Sequence, residues 1–82
     1  MKYEVAFTQA ALEQIRALPK HIRAQIGRRI TQLQEGLRGD VRKLSARESA
    51  YRLRVGSNRI LFRLDGNVIE VYAVKDRKNA YE

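Results

Sequence analysis

The stretch that most constrains the fold is residues 51–63, Y-R-L-R-V-G-S-N-R-I-L-F-R. Apolar Tyr51, Leu53 and Val55 alternate with Arg52 and Arg54, the period-two signature of a strand. Gly56-Ser57-Asn58 marks a tight turn, and the chain returns through Arg59, Ile60, Leu61, Phe62 and Arg63. A sheet made of such strands buries one face and displays arginines on the other.

The flanking sequence supplies what can cover the apolar face. Residues 2–7 set Tyr3, Val5 and Phe7 against Lys2, Glu4 and Ala6, which predicts a first strand. Thr8 offers an N-cap hydroxyl for a helix to about Leu18, with Ala11, Leu12, Ile15 and Leu18 on one side. Pro19 ends that helix or opens the next, where its missing N–H does no harm. Ile22, Ile26, Ile30, Leu33 and Leu37 form a second stripe, in a helix to about residue 36. So short a break predicts an antiparallel helical hairpin. Gly27 lowers the second helix's propensity by about 1 kcal/mol relative to Ala; close packing is one use for a glycine there, which the sequence does not show.

Gly36 and Gly39 close the helix, and residues 40–49 read as a charged loop anchored by Leu44. Asp65-Gly66-Asn67 is a second turn signal. Val68, Ile69, Val71, Tyr72 and Val74 then form a largely buried strand with Glu70 as its polar exception, and a polar tail begins at Lys75. The expected fold is α+β in the order β-α-α-β-β-β: a strand, a helical hairpin, then a three-stranded antiparallel meander. The first strand joins the meander at its edge or in its centre. Residues 1–82 are read as one domain.

Charge narrows the partner. The 82 residues carry 17 Lys and Arg against 9 Asp and Glu, a formal net charge of +8. Such an excess at sheet spacing points to a polyanion such as RNA or DNA, or to an acidic protein. No apolar run is long enough for a signal peptide or a membrane span, and cysteine is absent, so a cytoplasmic protein with no membrane partner is expected.

Composition also excludes several chemistries. One histidine and no cysteine leave no metal-ligand cluster, and neither phosphate-loop motif occurs. His21, beside Pro19, reads as a solvated surface residue. What remains is Arg, Lys and Tyr. That set can cleave RNA without metal or cofactor, because the ribose 2′-OH is itself the nucleophile. The protein then supplies a base, positive charge for the phosphorane, and a proton for the leaving oxygen. Arginine matches phosphate oxygens, and a tyrosine near guanidinium groups has its phenolate favoured.

The motif at residues 51–63, followed by Asp65-Gly66, the V-I-E-V strand of residues 68–71 and V-K-D-R-K-N-A-Y at 74–81, resembles the RelE/ParE superfamily of bacterial toxin–antitoxin toxins. The order of elements matches that family over nearly the whole chain. The resemblance implies a ribosome-dependent endoribonuclease, an mRNA interferase that cuts mRNA in the ribosomal A site and inhibits translation. It implies Arg59 and Arg77 as stabilisers of the phosphorane, Tyr81 as general base, and Arg54 as a positioning or proton-transfer residue. Arg52, Arg63, Lys43, Lys75 and Lys78 are the accompanying RNA- and phosphate-binding candidates. Where many relatives carry His or Gly-Lys before the tail arginine, this chain has Lys75 and Asp76. The implied partners are a cognate acidic antitoxin, the ribosome with its mRNA and 16S rRNA, and operator DNA only through the antitoxin. Two other readings stay open on the residues: a ParE-like inhibitor of DNA gyrase, and a nucleic-acid-binding module without catalysis. Arg52, Arg54 and Arg63 also admit a plain reading as solvated sheet charges, one of them pairing with Glu70.

Overall fold

The computed structural model describes residues 2–44 and 49–76. Its elements are β1 (Glu4–Phe7), α1 (Gln9–Arg16), α2 (Lys20–Gln34), β2 (Asp40–Lys43), β3 (Ala50–Val55), β4 (Asn58–Asp65) and β5 (Val68–Asp76). The strands form one sheet in the order β1-β5-β4-β3-β2. The pairs β3–β4 and β4–β5 are antiparallel, as their two-residue turns require; β2–β3, joined through residues 44–49, is antiparallel too, whereas β1 returns through the helices and runs parallel to β5. The α+β class and the strand–helix–helix–sheet order expected from the sequence hold, with one further strand, β2, and β1 takes the edge of the sheet.

Both turns of the meander begin with glycine. Gly56 and Gly66 have φ of 60° and 61°, and Val55–Asn58 and Asp65–Val68 are the closing pairs. Positive φ at the first central position alone is the pattern of a type II′ hairpin, whose twist matches that of the strands.

The helices cover one face. Ala11 of α1 and Ile26, Ile30 and Leu33 of α2 pack with Leu53, Val55, Ile60, Phe62, Ile69, Val71 and Val74 of the sheet. Burying each larger aliphatic or aromatic side chain contributes about 1.5–3 kcal/mol. Thr8 caps α1 by accepting from Ala11 N–H at 3.2 Å, and α1 ends at Arg16 rather than Leu18. Pro19 is the N-cap residue of α2, in extended conformation (φ −57°, ψ 151°), so the first helical N–H belongs to Lys20.

Two sequence expectations are corrected, and the place of Gly27, open in the sequence, is decided. Residues 40–43 are a strand, not loop: Gly39 (φ 125°) turns the chain alongside β3, with Val41 opposite Leu53. Four residues with one inward apolar side chain carry too little periodicity to announce themselves. Gly27 serves no close packing; a Cβ there would meet nothing within 4 Å. Lys75 and Asp76 belong to β5 rather than to a tail, paired with Arg59 and Asn58.

One irregularity sets the chemistry of the open face. Leu61 faces Ala73 and Phe62 faces Val71, so Tyr72 is an extra residue in β5. This bulge reverses which residues of β5 point outward. Before it, Ile69 and Val71 face the helices; after it, Val74 does, and Lys75 faces away. The first helix secures the bulge. Thr8 Oγ1 donates to the Tyr72 carbonyl at 3.3 Å, and Gln14 Oε1 accepts from Val74 N–H at 2.6 Å. Beyond Val71 the strand has no β1 partner, and these side chains bind backbone groups that would otherwise go unpaired.

Candidate nucleic-acid interface

Register alone assembles the site. Directly opposed residues share a face, and the pairings run Asp40–Arg54–Arg59–Lys75 across β2, β3, β4 and β5. The adjoining row is Arg42–Arg52–Leu61–Ala73. At roughly 4.8 Å between strands, the cations of the first row lie side by side on the face the helices leave uncovered. Like charges directly opposed destabilise a sheet, and Asp40, at the β2 end of the row, sets a carboxylate against them.

Arg52 does not fit the alternative reading of a solvated sheet charge. Its position between Arg42 and Leu61, in the middle of the sheet, leaves it 6% exposed, whereas Arg54 is exposed and Arg59 and Lys75 are half-buried. Its Nη2 lies 3.8 Å from Asp40 Oδ1, and Asp40 Oδ2 lies 3.8 Å from Arg54 Nε. Arg52 Nη1 has no hydrogen-bond partner among the described residues. Burial lowers the Arg52 pKa from its ordinary value; Asp40 opposes this, and the positive charges of Arg54, Arg42 and Arg59 add to it. A guanidinium keeps its proton in a protein, so the result is a buried cation with unused donor capacity.

Beside it lies a recess of about 160 Å³ lined by Leu44, Arg52, Arg59, Leu61 and Lys75. A second, smaller hollow of about 50 Å³ at the hairpin tip is lined by Arg54, Gly56, Ser57, Asn58 and Arg59. Arg59 lines both. Cationic walls over a leucine floor suit a phosphate whose attached sugar or base rests on apolar surface.

The remaining candidates fall elsewhere. Arg63 is on the same face but four residues along β4 from Arg59; it pairs with Glu70 at 3.8 Å and covers the Tyr72 ring at 4.0 Å. Lys43 is opposite Tyr51 and thus in the row facing the helices, with its ammonium 5.9 Å from the Tyr51 ring centre. Tyr51 itself stacks on Phe62 at 5.4 Å, a packing role. Arg77, Lys78 and Tyr81 lie outside the described residues. Asp40 is not legible in the sequence: inside an apparent charged loop, nothing there registers it against Arg54.

Fold and site together define a small α+β protein with a helical layer on one side of its sheet and a cationic row on the other. The family model described as the ParE toxin of type II toxin-antitoxin system, parDE, matches residues 5–81. Toxin RelE3 of Methanocaldococcus jannaschii is 30% identical, with 96% of each chain covered. The toxin of the RelB-RelE antitoxin-toxin complex from Methanococcus jannaschii superposes with a TM-score of 0.78 at 29% identity, covering 92% of this chain and 93% of that one. E. coli toxin RelE in the free state gives a TM-score of 0.83 at 22% identity, covering 99% of this chain and 90% of that one, a likeness of fold. The chain belongs to the RelE/ParE superfamily, the toxins of type II toxin–antitoxin systems.

Proposed function

We propose that this toxin is a ribosome-dependent endoribonuclease that cuts mRNA in the A site. The observation that carries the reading is the row Arg54–Arg59–Lys75, with Arg52 behind it, on the uncovered sheet face. In the cleavage, the ribose 2′-oxygen attacks the adjacent phosphorus, the bond to the 5′-oxygen breaks, and a 2′,3′-cyclic phosphate and a 5′-hydroxyl result. Arg59, at the junction of both hollows, contacts the non-bridging oxygens where charge accumulates. Arg54 and Arg52 orient the phosphate, and Lys75 supports it from β5. Arg77 is a second phosphorane stabiliser, and Tyr81 takes the 2′-proton, while the leaving 5′-oxygen is protonated by water; the roles of Arg77 and Tyr81 rest on the sequence motif. The protein acts in the cytoplasm and is held inactive by an acidic antitoxin, as complexes of relatives with RelB suggest.

Primer extension on translating ribosomes tests this. The wild-type protein should produce cuts within the A-site codon, and Arg59→Ala should lower the cutting rate by roughly 10²–10³-fold, the effect of losing one charged donor to a transition-state oxyanion. Intact mRNA beside growth arrest would count against the assignment. The family model's ParE name favours a second reading, inhibition of DNA gyrase. Loss of supercoiling in a purified gyrase assay, without mRNA cuts, would select it.

A further inference from the structure

We propose that Asp40 is the resident counter-ion of the arginine cluster and that a phosphodiester takes its place when nucleic acid binds. The inference rests on reading the open face as the RNA-binding surface and adds a residue that the sequence motif does not contain. The Asp40 carboxylate presents one oxygen to each guanidinium, Oδ1 to Arg52 and Oδ2 to Arg54, both at 3.8 Å. The two non-bridging oxygens of a phosphodiester offer the same pair of acceptors.

Asp40 fills the role incompletely. At 3.8 Å it neutralises charge but is too distant for the charge-assisted hydrogen bonds, near 2.8 Å, that guanidinium groups make with phosphate. The buried Arg52 Nη1 stays without a partner among the described residues. The two ends of the Asp40–Arg52 pair also differ in freedom. The Asp40 side chain is 56% exposed on the outermost strand, whereas that of Arg52 is 7% exposed. An incoming phosphate therefore displaces the carboxylate towards solvent and leaves the buried guanidinium where it is. Before binding, the carboxylate offsets at Arg52 the repulsion from the positive charges of Arg54, Arg42 and Arg59.

A scaffold carboxylate and an exchanged one have opposite signatures. If Asp40 merely holds the arginines in position, its neutralisation weakens binding. If it competes with phosphate, neutralisation tightens binding. The probe is a fluorescent 12-nucleotide 2′-O-methyl RNA strand, which lacks the nucleophilic hydroxyl and stays intact. Its affinity for wild type and Asp40→Asn is measured by anisotropy across a salt series. The expected result is binding about three- to tenfold tighter in Asp40→Asn, with a log–log salt slope steeper by about 0.7, one more uncompensated cation meeting a single strand. Binding by both proteins with Asp40→Asn equal or weaker overturns the exchange and leaves the RNA-binding face standing. Binding by neither, or binding unchanged in Arg54→Ala and Arg59→Ala, overturns the RNA-binding face and the exchange with it. Should Asp40→Asn fail to fold, the wild type decides. The Asp40 carboxyl carbon resonance should move on saturation with the strand, and a resonance that stays in place overturns the proposal.

Discussion

At the scale of the residue, the informative side chain is Arg52. A buried ion pair is a weak source of stability, because the cost of removing both charges from water rivals their attraction. Here the pair is also one-sided, with Asp40 largely in solvent and Arg52 enclosed. Arg52 is therefore kept at a cost. Replacing it by methionine, of similar length and apolar, should leave stability unchanged or raise it by about 1 kcal/mol, as observed when buried ions give way to packed apolar groups. The same Arg52→Met variant should lose affinity for an RNA strand. Urea unfolding and anisotropy on one sample check both halves, and a large drop in stability would mean that Arg52 serves the fold. By contrast the Arg63–Glu70 pair, half-exposed at both ends, contributes no more than about 1 kcal/mol and is a surface contact.

At the scale of the element, α2 carries a weakness that no packing explains. Gly27 lies within the helix, exposed, with open space where a Cβ would sit. Gly27→Ala should stabilise the protein by about 1 kcal/mol, read as a higher urea midpoint at unchanged slope, with toxin activity retained. Gly39 is the opposite case. Its φ of 125° strains any residue with a Cβ, and that Cβ would lie 2.9 Å from Leu53 Cδ1, forcing the leucine tip to shift. That glycine delivers β2, and hence Asp40, to the edge of the cationic row. The first helix has a comparable task at the other edge, where Thr8 and Gln14 hold the bulged segment of β5.

For the whole molecule, a net charge of +8 acts at two ranges. At long range it draws the protein to polyanions, an attraction that salt screens within about 10 Å at 0.1 M. At contact, Arg52, Arg54, Arg59 and Lys75 lie on one face and can meet successive phosphates of a single strand. Binding to a single-stranded oligonucleotide should therefore weaken with salt with a log–log slope of magnitude about 2–3, each phosphate contributing about 0.7. A titration of wild type from low to high salt checks it; a slope near zero would place the binding energy elsewhere than in these contacts.

The sequence by itself determined the alternation of Tyr51, Leu53 and Val55 with arginines, the two glycine-led turns and the two helical stripes, and with them the α+β order. Those are local properties, written in spacings of two to four residues. It also carried the family motif that nominated Arg54 and Arg59. Tertiary structure decided what depends on register between distant strands. Arg52 reads like Arg54 in sequence, yet one is enclosed and the other exposed, because neighbours on β2 and β4 differ. Asp40 becomes the partner of two arginines only once Gly39 turns it against β3. Lys75 joins Arg59 only because Tyr72 adds a residue to β5; without that bulge, strict alternation would have turned Lys75 to the helices.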